Sequence, residues 1–366
     1  MTKVIPGLSI IIPTRNRLRE LDATLHMLSQ LSSLAHSEVV VVDNGSSDPM
    51  RQNARLACGA SVRTIRSERN LGAAGRNLGV ESGANEWVLM LDDDSALVGE
   101  CWQEVVQNAR ADVAAIGLDI RLPGGRHEAG GLPEVFVGCG VLIRRGAFLE
   151  SGGYDEAFGY YAEEYDLCAK FLLNGWRIAH DGRAQVLHRK VSSGRDMNEI
   201  LRRLVRNNVW VRQRYAPREI REREITAELD RYHEIAVCED ALAGFERGVH
   251  ELKASLADRP GREMPMELYR RFTGEFAAHE YLERAMHEHG VKNVKLIGSG
   301  RGKREICAVL RRLGIGIVED ERIADAALVA TLAPGRMLDV KDEWIARSSL
   351  PIICGWSPDV SHAVGV

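Results

Sequence analysis

Three consecutive carboxylates, Asp92, Asp93 and Asp94, follow the apolar run of residues 87–91. Like charges placed side by side at the end of a strand are unfavourable unless a cation or hydrogen-bond donors neutralise them. Carboxylate oxygens are hard ligands that suit Mg²⁺ or Mn²⁺, and such an ion can bridge a diphosphate and stabilise it as it leaves. The alternative is a solvated acidic turn, or the N-cap of a helix that begins at Ser95.

A further carboxylate, Asp43, ends the valine run 39–42 and precedes the turn sequence Asn-Gly-Ser-Ser. At this place Asp43 could accept a hydrogen bond from the base or the ribose of a nucleotide. An Asx turn, in which Asp43 or Asp48 accepts a hydrogen bond from the backbone, explains the same residues equally well.

The elements that must position these groups alternate between short β-branched runs and longer helical segments in the first half of the chain. This alternation predicts an α/β fold with a mostly parallel central sheet that is covered on both faces. In such sheets ligands bind where loops leave the carboxyl ends of the strands, and both acidic sites lie there. Strands are predicted at 8–12, 39–42, 62–65, 88–91, 113–117 and 135–143, with a helix at 18–34 and another between the second and third strands.

Several motifs in this half resemble those of family 2 glycosyltransferases, which are inverting enzymes with the GT-A fold. They occur in the family's order: SIIIPTRNR, VVVVDNGSSD, NLGAAGRNLG, LDDDS, GCGVLIRR and GGYDEAFGYYAEEYDLCAKFLLNGWRI. Each motif is weak alone, but the ordered set over about residues 7–215 is specific. The resemblance, which also extends to rhamnosyltransferases, implies a GT-A (nucleotide-diphospho-sugar transferase) fold that binds an activated sugar.

The resemblance also implies the parts of the donor site. Thr14 and Asp43 would contact the nucleoside, and Arg76 is a weaker candidate near the base or the diphosphate. Asp92, Asp93 and Glu163 fall within the same motifs and are assigned to the nucleotide-sugar site with them.

The resemblance places the cation as well. Asp92 and Asp94 match the outer positions of the DxD motif, and Asp94 is the stronger candidate for a direct ligand of Mg²⁺ or Mn²⁺. His188, in AQVLHRK, matches a histidine that some relatives use as a further metal ligand or diphosphate contact. A hydrogen-bonded structural role for His188 is an equal alternative. Gly138 and Gly140 would let the backbone approach the sugar or mark a strand bulge.

The general base falls on Glu164, where the family usually has aspartate in Glu-Asp-x-Asp-Leu and this chain reads Glu-Glu-Tyr-Asp-Leu. An acceptor hydroxyl needs a positioned base while charge builds on the departing diphosphate. Glutamate is one methylene longer than aspartate, so the acceptor lies slightly farther away or Asp166 carries more of the work. An acidic pair, Glu163 and Glu164, at a helix N-terminus is the alternative.

The chain changes character after about residue 195. An arginine-rich stretch at 202–223 could bind an anionic acceptor or a membrane surface, but a salt-bridged helix face is the commoner explanation. A long helical stripe at 225–256 could pair with a second subunit or pack against its own catalytic domain. The predicted divisions are a catalytic domain at 1–215, a helical linker or packing region at 216–289, and a small Rossmann-like α/β domain at 290–366.

The glycine turn 298–303 follows a predicted strand at 294–297 and opens a helix, which is typical of dinucleotide sites. Its spacing is GxGxG rather than GxGxxG, and the unit has little room beyond one β-α-β. A scaffold or docking module is therefore the favoured interpretation of this domain, and an oxidoreductase is the rival.

Bulk properties exclude several function classes. The 366 residues are 45% hydrophobic and 27% charged, as in ordinary globular proteins, and the net charge of −4 argues against nucleic acid as a partner. The seven cysteines form no CxxC pair, which favours a reducing cytosol. We expect no export signal and no spanning segment, and peripheral attachment at the inner membrane face stays open.

The sequence therefore predicts a metal-dependent transferase that moves a sugar from a UDP-, dTDP- or GDP-sugar to a glycan, a lipid-linked or a small-molecule acceptor. A catalytically inactive nucleotide-binding scaffold of the same fold is the alternative. A nucleotidyltransferase is disfavoured because the first strand is followed by PTRNR, without the glycine-rich loop of that class.

Overall fold

The computed structural model of the chain describes residues 7–48, 53–191, 196–256 and 261–358. The strands of this part are β1 (Leu8–Thr14), β2 (Glu38–Asp43), β3 (Asn53–Arg55), β4 (Ser61–Arg66), β5 (Trp87–Met90), β6 (Ser95–Val98), β7 (Val113–Arg121), β8 (Val141–Arg144), β9 (Arg177–His188), β10 (Asn293–Ile297), β11 (Gly316–Ile317), β12 (Ala326–Val329) and β13 (Ile352–Ile353). The helices are α1 (Leu18–Leu28), α2 (Gly75–Ser82), α3 (Trp102–Gln107), α4 (Arg145–Glu150), α5 (Glu163–Leu173), α6 (Met197–Tyr215), α7 (Arg221–Cys238), α8 (Leu242–Ser255), α9 (Met266–Phe272), α10 (Glu275–His289), α11 (Lys303–Leu313) and α12 (Pro334–Ile345).

The central sheet has nine strands in the order β3-β4-β2-β1-β5-β8-β7-β9-β6. Strands β4, β2, β1 and β5 run parallel to one another, and the valine and isoleucine side chains of β1, β2 and β5 are buried. The register pairs Thr14 with Asp43, so the carboxyl ends of β1 and β2 lie side by side. Strands β3, β8 and β6 join antiparallel to their neighbours, which makes the sheet mixed.

Three predicted elements of the first half differ from those observed. The helix predicted at 18–34 ends at Leu28 and is followed by a separate 3-10 helix at Ser32–Leu34. The helix expected between β2 and β4 is absent from described residues 53–60, which form β3 and a turn leading into β4. The strand predicted at 135–143 is shorter, because residues 128–140 form a loop and only β8 joins the sheet. At Gly140 the backbone lies so close to β7 that a Cβ would be 2.7 Å from Ile120 Cγ1.

The apolar stripe 225–256 forms two helices rather than one. The chain turns between α7 and α8 at Asp240, whose φ is 51°. Both helices pack on α6, where Tyr232 and Ala236 are buried with Leu201 and Val205. Packing within the chain therefore accounts for much of the stripe.

The arginine-rich stretch is a salt-bridged surface. Six arginines of this stretch pair with acidic side chains at distances of 2.5 to 3.1 Å: Arg202, Arg203, Arg206, Arg212, Arg214 and Arg221. Their partners lie mostly on other helices and loops, so the arginines join elements of the fold rather than form an open basic patch.

The C-terminal sheet has four parallel strands in the order β11-β10-β12-β13. Its buried side chains, such as Ile297 and Leu328, belong to the same continuous apolar core as Ile11 and Val42 of the central sheet. The small α/β unit is therefore packed against the rest of the chain. Among the described residues, none of the helices has the length and hydropathy needed to cross a bilayer.

The close approach of α8 to α6 depends on Gly244. A Cβ at Gly244 would lie 2.1 Å from the carbonyl oxygen of Asn198, whereas a Cβ at Gly146 of α4 would meet nothing within 4 Å. We expect Gly244→Ala to lower the free energy of unfolding by roughly 1–3 kcal/mol, because the helices must separate. Gly146→Ala is the matched control and should be neutral or slightly stabilising. Chemical denaturation of both variants checks this, and equal midpoints would contradict it.

Candidate active site

The acidic tract lies in the turn between β5 and β6, beside the ends of β1 and β2. Thr14 Oγ1 donates to Asp93 Oδ2 at 2.8 Å, and the Arg17 guanidinium contacts Asp93 and Asp94 at 2.9 and 2.8 Å. Asp93 and Asp94 are each only 4% exposed. The alternative of a solvated turn or a helix N-cap is therefore wrong: Asp93 and Asp94 are buried, and Ser95 begins strand β6.

The pKa values of the two buried carboxyls of the tract are shifted in opposite directions. Burial raises the pKa of Asp93 to about 6, and Arg17 and Thr14 only partly offset it. Burial also acts against ionised Asp94, but hydrogen bonds from His188 and Arg17 outweigh it and hold the pKa of that carboxyl well below its usual range. Asp94 is thus the firmly ionised member of this pair.

Asp92 is the most accessible carboxylate of the three, with a side chain that is 37% exposed, and it forms an ion pair with Arg76. Arg76, on α2, is 5% exposed, and its Nε has no partner among the described residues. Although burial opposes the charge, Asp92 and Glu163 keep the pKa of Arg76 above its ordinary value. Arg76 therefore stands as a permanent cation between the acidic tract and the acidic pair of α5.

His188 lies at the end of β9 between two carboxylates. Its Nε2 is 3.3 Å from Asp94 Oδ1, and its Nδ1 is 2.9 Å from Glu128 Oε2. Burial opposes protonation, but Asp94, Cys139 and Glu128 raise the pKa of His188 to about 12. The sequence reading missed Glu128 because it lies in the loop after β7, 60 residues from His188, and belongs to no local motif.

The donor atoms at this place fit a divalent cation. One ligand atom each of Asp92, Cys139 and His188 lies within 4.8 Å of the others, and Asp94 adjoins His188. Carboxylate oxygens with one imidazole suit Mn²⁺ or Mg²⁺. A thiol sulfur is a soft ligand that suits these cations poorly. The carboxylates are therefore the better donors, and His188 can join them once a cation displaces the proton that Asp94 and Glu128 stabilise.

The acidic pair Glu163 and Glu164 begins α5 after a tight turn. Tyr161 and Ala162, with φ of 75° and 63°, are consecutive non-glycine residues in the left-handed region, which costs free energy. The fully buried side chain of Asn207 on α6 holds the turn, since its Nδ2 donates to the carbonyls of Phe158, Tyr160 and Tyr161 at 2.9, 2.9 and 2.7 Å. Asn207 is another residue that sequence reasoning missed.

Few groups compensate the negative charge of the two glutamates. Each has one buried carboxylate oxygen without a hydrogen-bond partner in the described structure. Burial raises the pKa of both carboxyls, and their mutual repulsion raises that of Glu163 further. Arg76 and Asp92 act electrostatically on both residues, which places the pair beside the acidic tract. The backbone N–H groups at the start of α5 favour the ionised forms, as a helix N-terminus does, but burial outweighs them.

Asp166, one turn into α5, is separated from this group by its partners. Its carboxylate accepts hydrogen bonds from Arg214 and, at 2.7 Å, from Tyr215, while Lys170 lies 2.7 Å from its second oxygen. The side chain is fully buried. Asp166 therefore ties α5 to α6, and the geometry favours Glu164 over Asp166 as a proton acceptor.

Asp43 stabilises the turn that follows β2. Its Oδ1 accepts from the backbone N–H of Ser46 at 2.8 Å, and its Oδ2 accepts from Arg66 at 3.0 Å. The side chain is 1% exposed. This arrangement fits the turn alternative, while a contact with a nucleoside remains a prediction for Asp43 and Thr14.

The first half of the chain is thus an α/β domain whose mixed sheet carries an acidic cluster beyond the carboxyl ends of its parallel strands. Residues 9–133 match the sequence profile of Glycosyl transferase family 2. This match confirms the predicted resemblance over that segment.

Individual relatives agree with the family match. The chain is 39% identical over 101 residues to an uncharacterized glycosyltransferase of Haemophilus influenzae, with coverage of 27% of this chain and 33% of the relative. It is 26% identical over 256 residues to the N-acetylglucosaminyl-diphospho-decaprenol L-rhamnosyltransferase of Mycobacterium tuberculosis, with coverage of 54% and 80%. The chain spans only 17% and 18% of the lengths of two other relatives.

Among solved structures, the mannosyltransferase PcManGT of Pyrobaculum calidifontis, in complex with GDP-Man and Mn²⁺, superposes with a TM-score of 0.45 and 15% sequence identity. The superposition covers 76% of this chain and 82% of that chain.

The raised pKa values of the acidic pair predict a pH-dependent stability. The pKa in the folded state lies above that in the unfolded state, so the folded state binds more protons between the two values and loses stability as pH rises through this interval. Glutamine does not ionise. We therefore expect Glu163→Gln to gain melting temperature relative to the unsubstituted protein as pH is raised from about 5 to about 8.

Asp166→Asn provides the contrast. It leaves buried cationic partners uncompensated and should cost roughly 3–5 kcal/mol of stability. Thermal melts of both variants across the pH range check the pair of expectations. A stability difference for Glu163→Gln that does not change with pH would contradict the assignment.

Glu128 should tune cation binding through His188, because a carboxylate on one ring nitrogen orients the other toward a metal. We expect Glu128→Gln to weaken Mn²⁺ binding about 10- to 100-fold by calorimetry. The exposed residue Glu86, which pairs with Arg144, supplies a control in Glu86→Gln. Unchanged Mn²⁺ affinity in Glu128→Gln would show that His188 is not a ligand.

Proposed function

We propose that the chain is an inverting glycosyltransferase that moves a sugar from a nucleotide-diphospho-sugar to an acceptor hydroxyl. One observation carries the proposal: carboxylates from separate parts of the chain, the tract after β5 and the pair at the start of α5, lie around a single buried cation, Arg76. The family 2 match over residues 9–133 supports the same reaction.

The acidic tract is the part that serves the leaving group. A divalent cation held by Asp92, Asp94 and His188 would neutralise the diphosphate as the anomeric bond breaks. Arg17 pairs with Asp93 and Asp94, and Arg76 pairs with Asp92, so both guanidinium groups lie where they could also bind the negative charge of a diphosphate.

The acidic pair is the part that serves the acceptor. Of the two, Glu164 is our candidate for the general base, and Glu163 is its coupled neighbour. A carboxylate that is costly to ionise holds a proton more readily, which suits it to take one from a hydroxyl. Because one carboxylate and one departing diphosphate act in a single displacement, the anomeric centre inverts.

The nucleoside would lie beyond the ends of β1 and β2, near Thr14 and Asp43. The turn at Asp43 fixes Ser46 and Arg66 at this edge, and Arg66 is half-exposed. The rhamnosyltransferase among the relatives favours a deoxyhexose donor and a lipid-linked acceptor for this chain as well. An inactive nucleotide-binding scaffold remains the competing proposal.

Donor turnover with and without a chelator tests the cation. We expect a chelator to abolish transfer and added Mn²⁺ or Mg²⁺ to restore it, and Asp94→Ala to reduce turnover by about 100-fold or more. Asp112→Asn, at an exposed pair with Arg110, is the control and should keep full activity. Transfer that survives both the chelator and Asp94→Ala would remove the cation from the proposal.

The base is tested by the two glutamine variants of the acidic pair. We expect Glu164→Gln to lose turnover by about 100-fold or more while the donor still binds, because a hydroxyl keeps its proton. In the unsubstituted enzyme, turnover should rise with pH through a pKa above the ordinary glutamate range, since the base acts in its ionised form. If Glu163→Gln loses more than Glu164→Gln, the assignment reverses. Nucleotide binding without transfer to any acceptor would favour the scaffold.

A further inference from the structure

The glycine turn between β10 and α11 is filled by the protein's own side chains. A Cβ at Gly300 would lie 2.5 Å from Thr331 Oγ1, one at Gly302 would lie 2.4 Å from Leu332 Cγ, and one at Gly298 would lie 2.9 Å from Val340 Cγ1. Side chains after β12 and on α12 lie against all three glycines, so the packing of the chain itself accounts for the glycines of this turn.

The turn presents Arg301 to the catalytic half of the chain. The carbonyl of Arg301 accepts hydrogen bonds from the Leu332 N–H at 2.8 Å and from Thr331 Oγ1 at 3.0 Å, which fixes the backbone. From there its Nη2 donates to Asn208 Oδ1 at 2.9 Å and to Glu228 Oε1 at 2.6 Å. A side chain of the C-terminal unit is thus anchored in helices α6 and α7.

The same guanidinium also contacts helix α5, which carries the acidic pair. Its Cζ lies 4.7 Å from the centroid of the Tyr165 ring, within the range of a cation–π contact. Tyr165 follows Glu164 in the chain. Its ring also packs edge-on against the ring of Phe272, with 6.4 Å between the ring centroids. The Tyr165 ring is therefore held between α9 and Arg301.

Arg301 also contacts the part of α6 that holds the turn before α5. Asn208, which accepts its hydrogen bond, follows Asn207, the residue that holds the turn before α5. Glu228 also forms an ion pair with Arg212, with 2.9 Å between Oε2 and Nη2. Arg212 Nη1 in turn donates a hydrogen bond to the Tyr269 hydroxyl at 3.0 Å. Arg212 and Glu228 are buried and the Arg301 side chain is 13% exposed, so each charge in this network depends on the others for compensation.

We propose that Arg301 is a positioning residue of the transferase reaction: the C-terminal unit uses its glycine turn to hold Tyr165 and Asn208, and through them the acidic pair at the start of α5. The inference rests on the proposed function for its effect on turnover. Its structural part, the immobilisation of α5, stands independently of that function.

The first experiment measures turnover in Arg301→Ala, with Arg322→Ala as the control, since Arg322 is an 88% exposed side chain of the same unit that pairs only locally with Asp320. We expect Arg301→Ala to lower kcat about 10- to 100-fold, because a small displacement of a base has this effect, while the donor KM changes less than about twofold. Arg322→Ala should retain both constants. Unchanged kcat in a folded Arg301→Ala protein would overturn the inference.

Chemical rescue separates positioning from general loss of structure. Guanidinium added at millimolar concentration should restore part of kcat in Arg301→Ala, and urea at the same concentration should not. Tyr165→Phe keeps the ring and should retain kcat, whereas Tyr165→Leu should resemble Arg301→Ala. Full loss of kcat in Tyr165→Phe would argue against the proposed contact. So would an Arg301→Ala protein whose kcat guanidinium does not rescue and whose donor KM is raised.

Hydrogen exchange provides a test that needs no turnover. We expect backbone amides of residues 160–170 to exchange faster in Arg301→Ala than in the unsubstituted protein and in Arg322→Ala. If they do so in a protein that shows no sugar transfer, the proposed function fails and the positioning contact stands. Unchanged exchange in an active enzyme would refute the contact and leave the function intact.

Discussion

Repulsion between carboxylates is the constraint on which the rest of this structure depends. The parallel strands and the start of α5 bring acidic side chains together in a place with little water, where like charges cannot be left uncompensated. Each acidic position of the tract is met by a cation from another element: Asp93 by Arg17, Asp94 by Arg17 and His188, and Asp92 by Arg76. These pairs order the loops that a diphosphate and a cation would contact.

The pair Glu163 and Glu164 is the exception to this compensation. Their carboxylates keep buried oxygens without partners, and the turn before them holds Tyr161 and Ala162 in an unfavourable backbone region. Such features reduce stability and are retained where a group must be ready to react. Asn207 offsets part of the cost by binding three carbonyls of the segment, which keeps the pair in one orientation.

The helical region and the C-terminal unit extend this support outward. Arg212, Glu228 and Arg301 form a buried ionic chain that joins α6, α7 and the glycine turn. Such a chain contributes little net stability compared with apolar packing, but loss of one member leaves its partners charged and buried. It is therefore better suited to specify the orientation of helices than to strengthen the fold.

Local patterns in the sequence were sufficient for the central strands, the acidic tract and the acidic start of α5. A strand buried on both faces must be apolar throughout, as in residues 39–42, and the polar group that follows it must lie at the edge of the sheet. The first four of the quoted motifs lie within residues 9–133, the segment that matches the profile of Glycosyl transferase family 2. The prediction of a single helix at 225–256 was wrong, because the apolar stripe continues through the turn at Asp240 and no proline or glycine marks that turn.

The tertiary structure decided which of the candidate residues are already occupied by partners. Asp166 and Glu164 look equivalent in the sequence, but Arg214 and Tyr215, nearly 50 residues later, bind the first and not the second. Glu128 reaches His188, and Arg301 reaches Tyr165, over separations that no local pattern encodes. A sequence pattern reports neighbours along one strand or helix, whereas the free energy of a buried charge depends on partners that only the packing of distant elements brings to it.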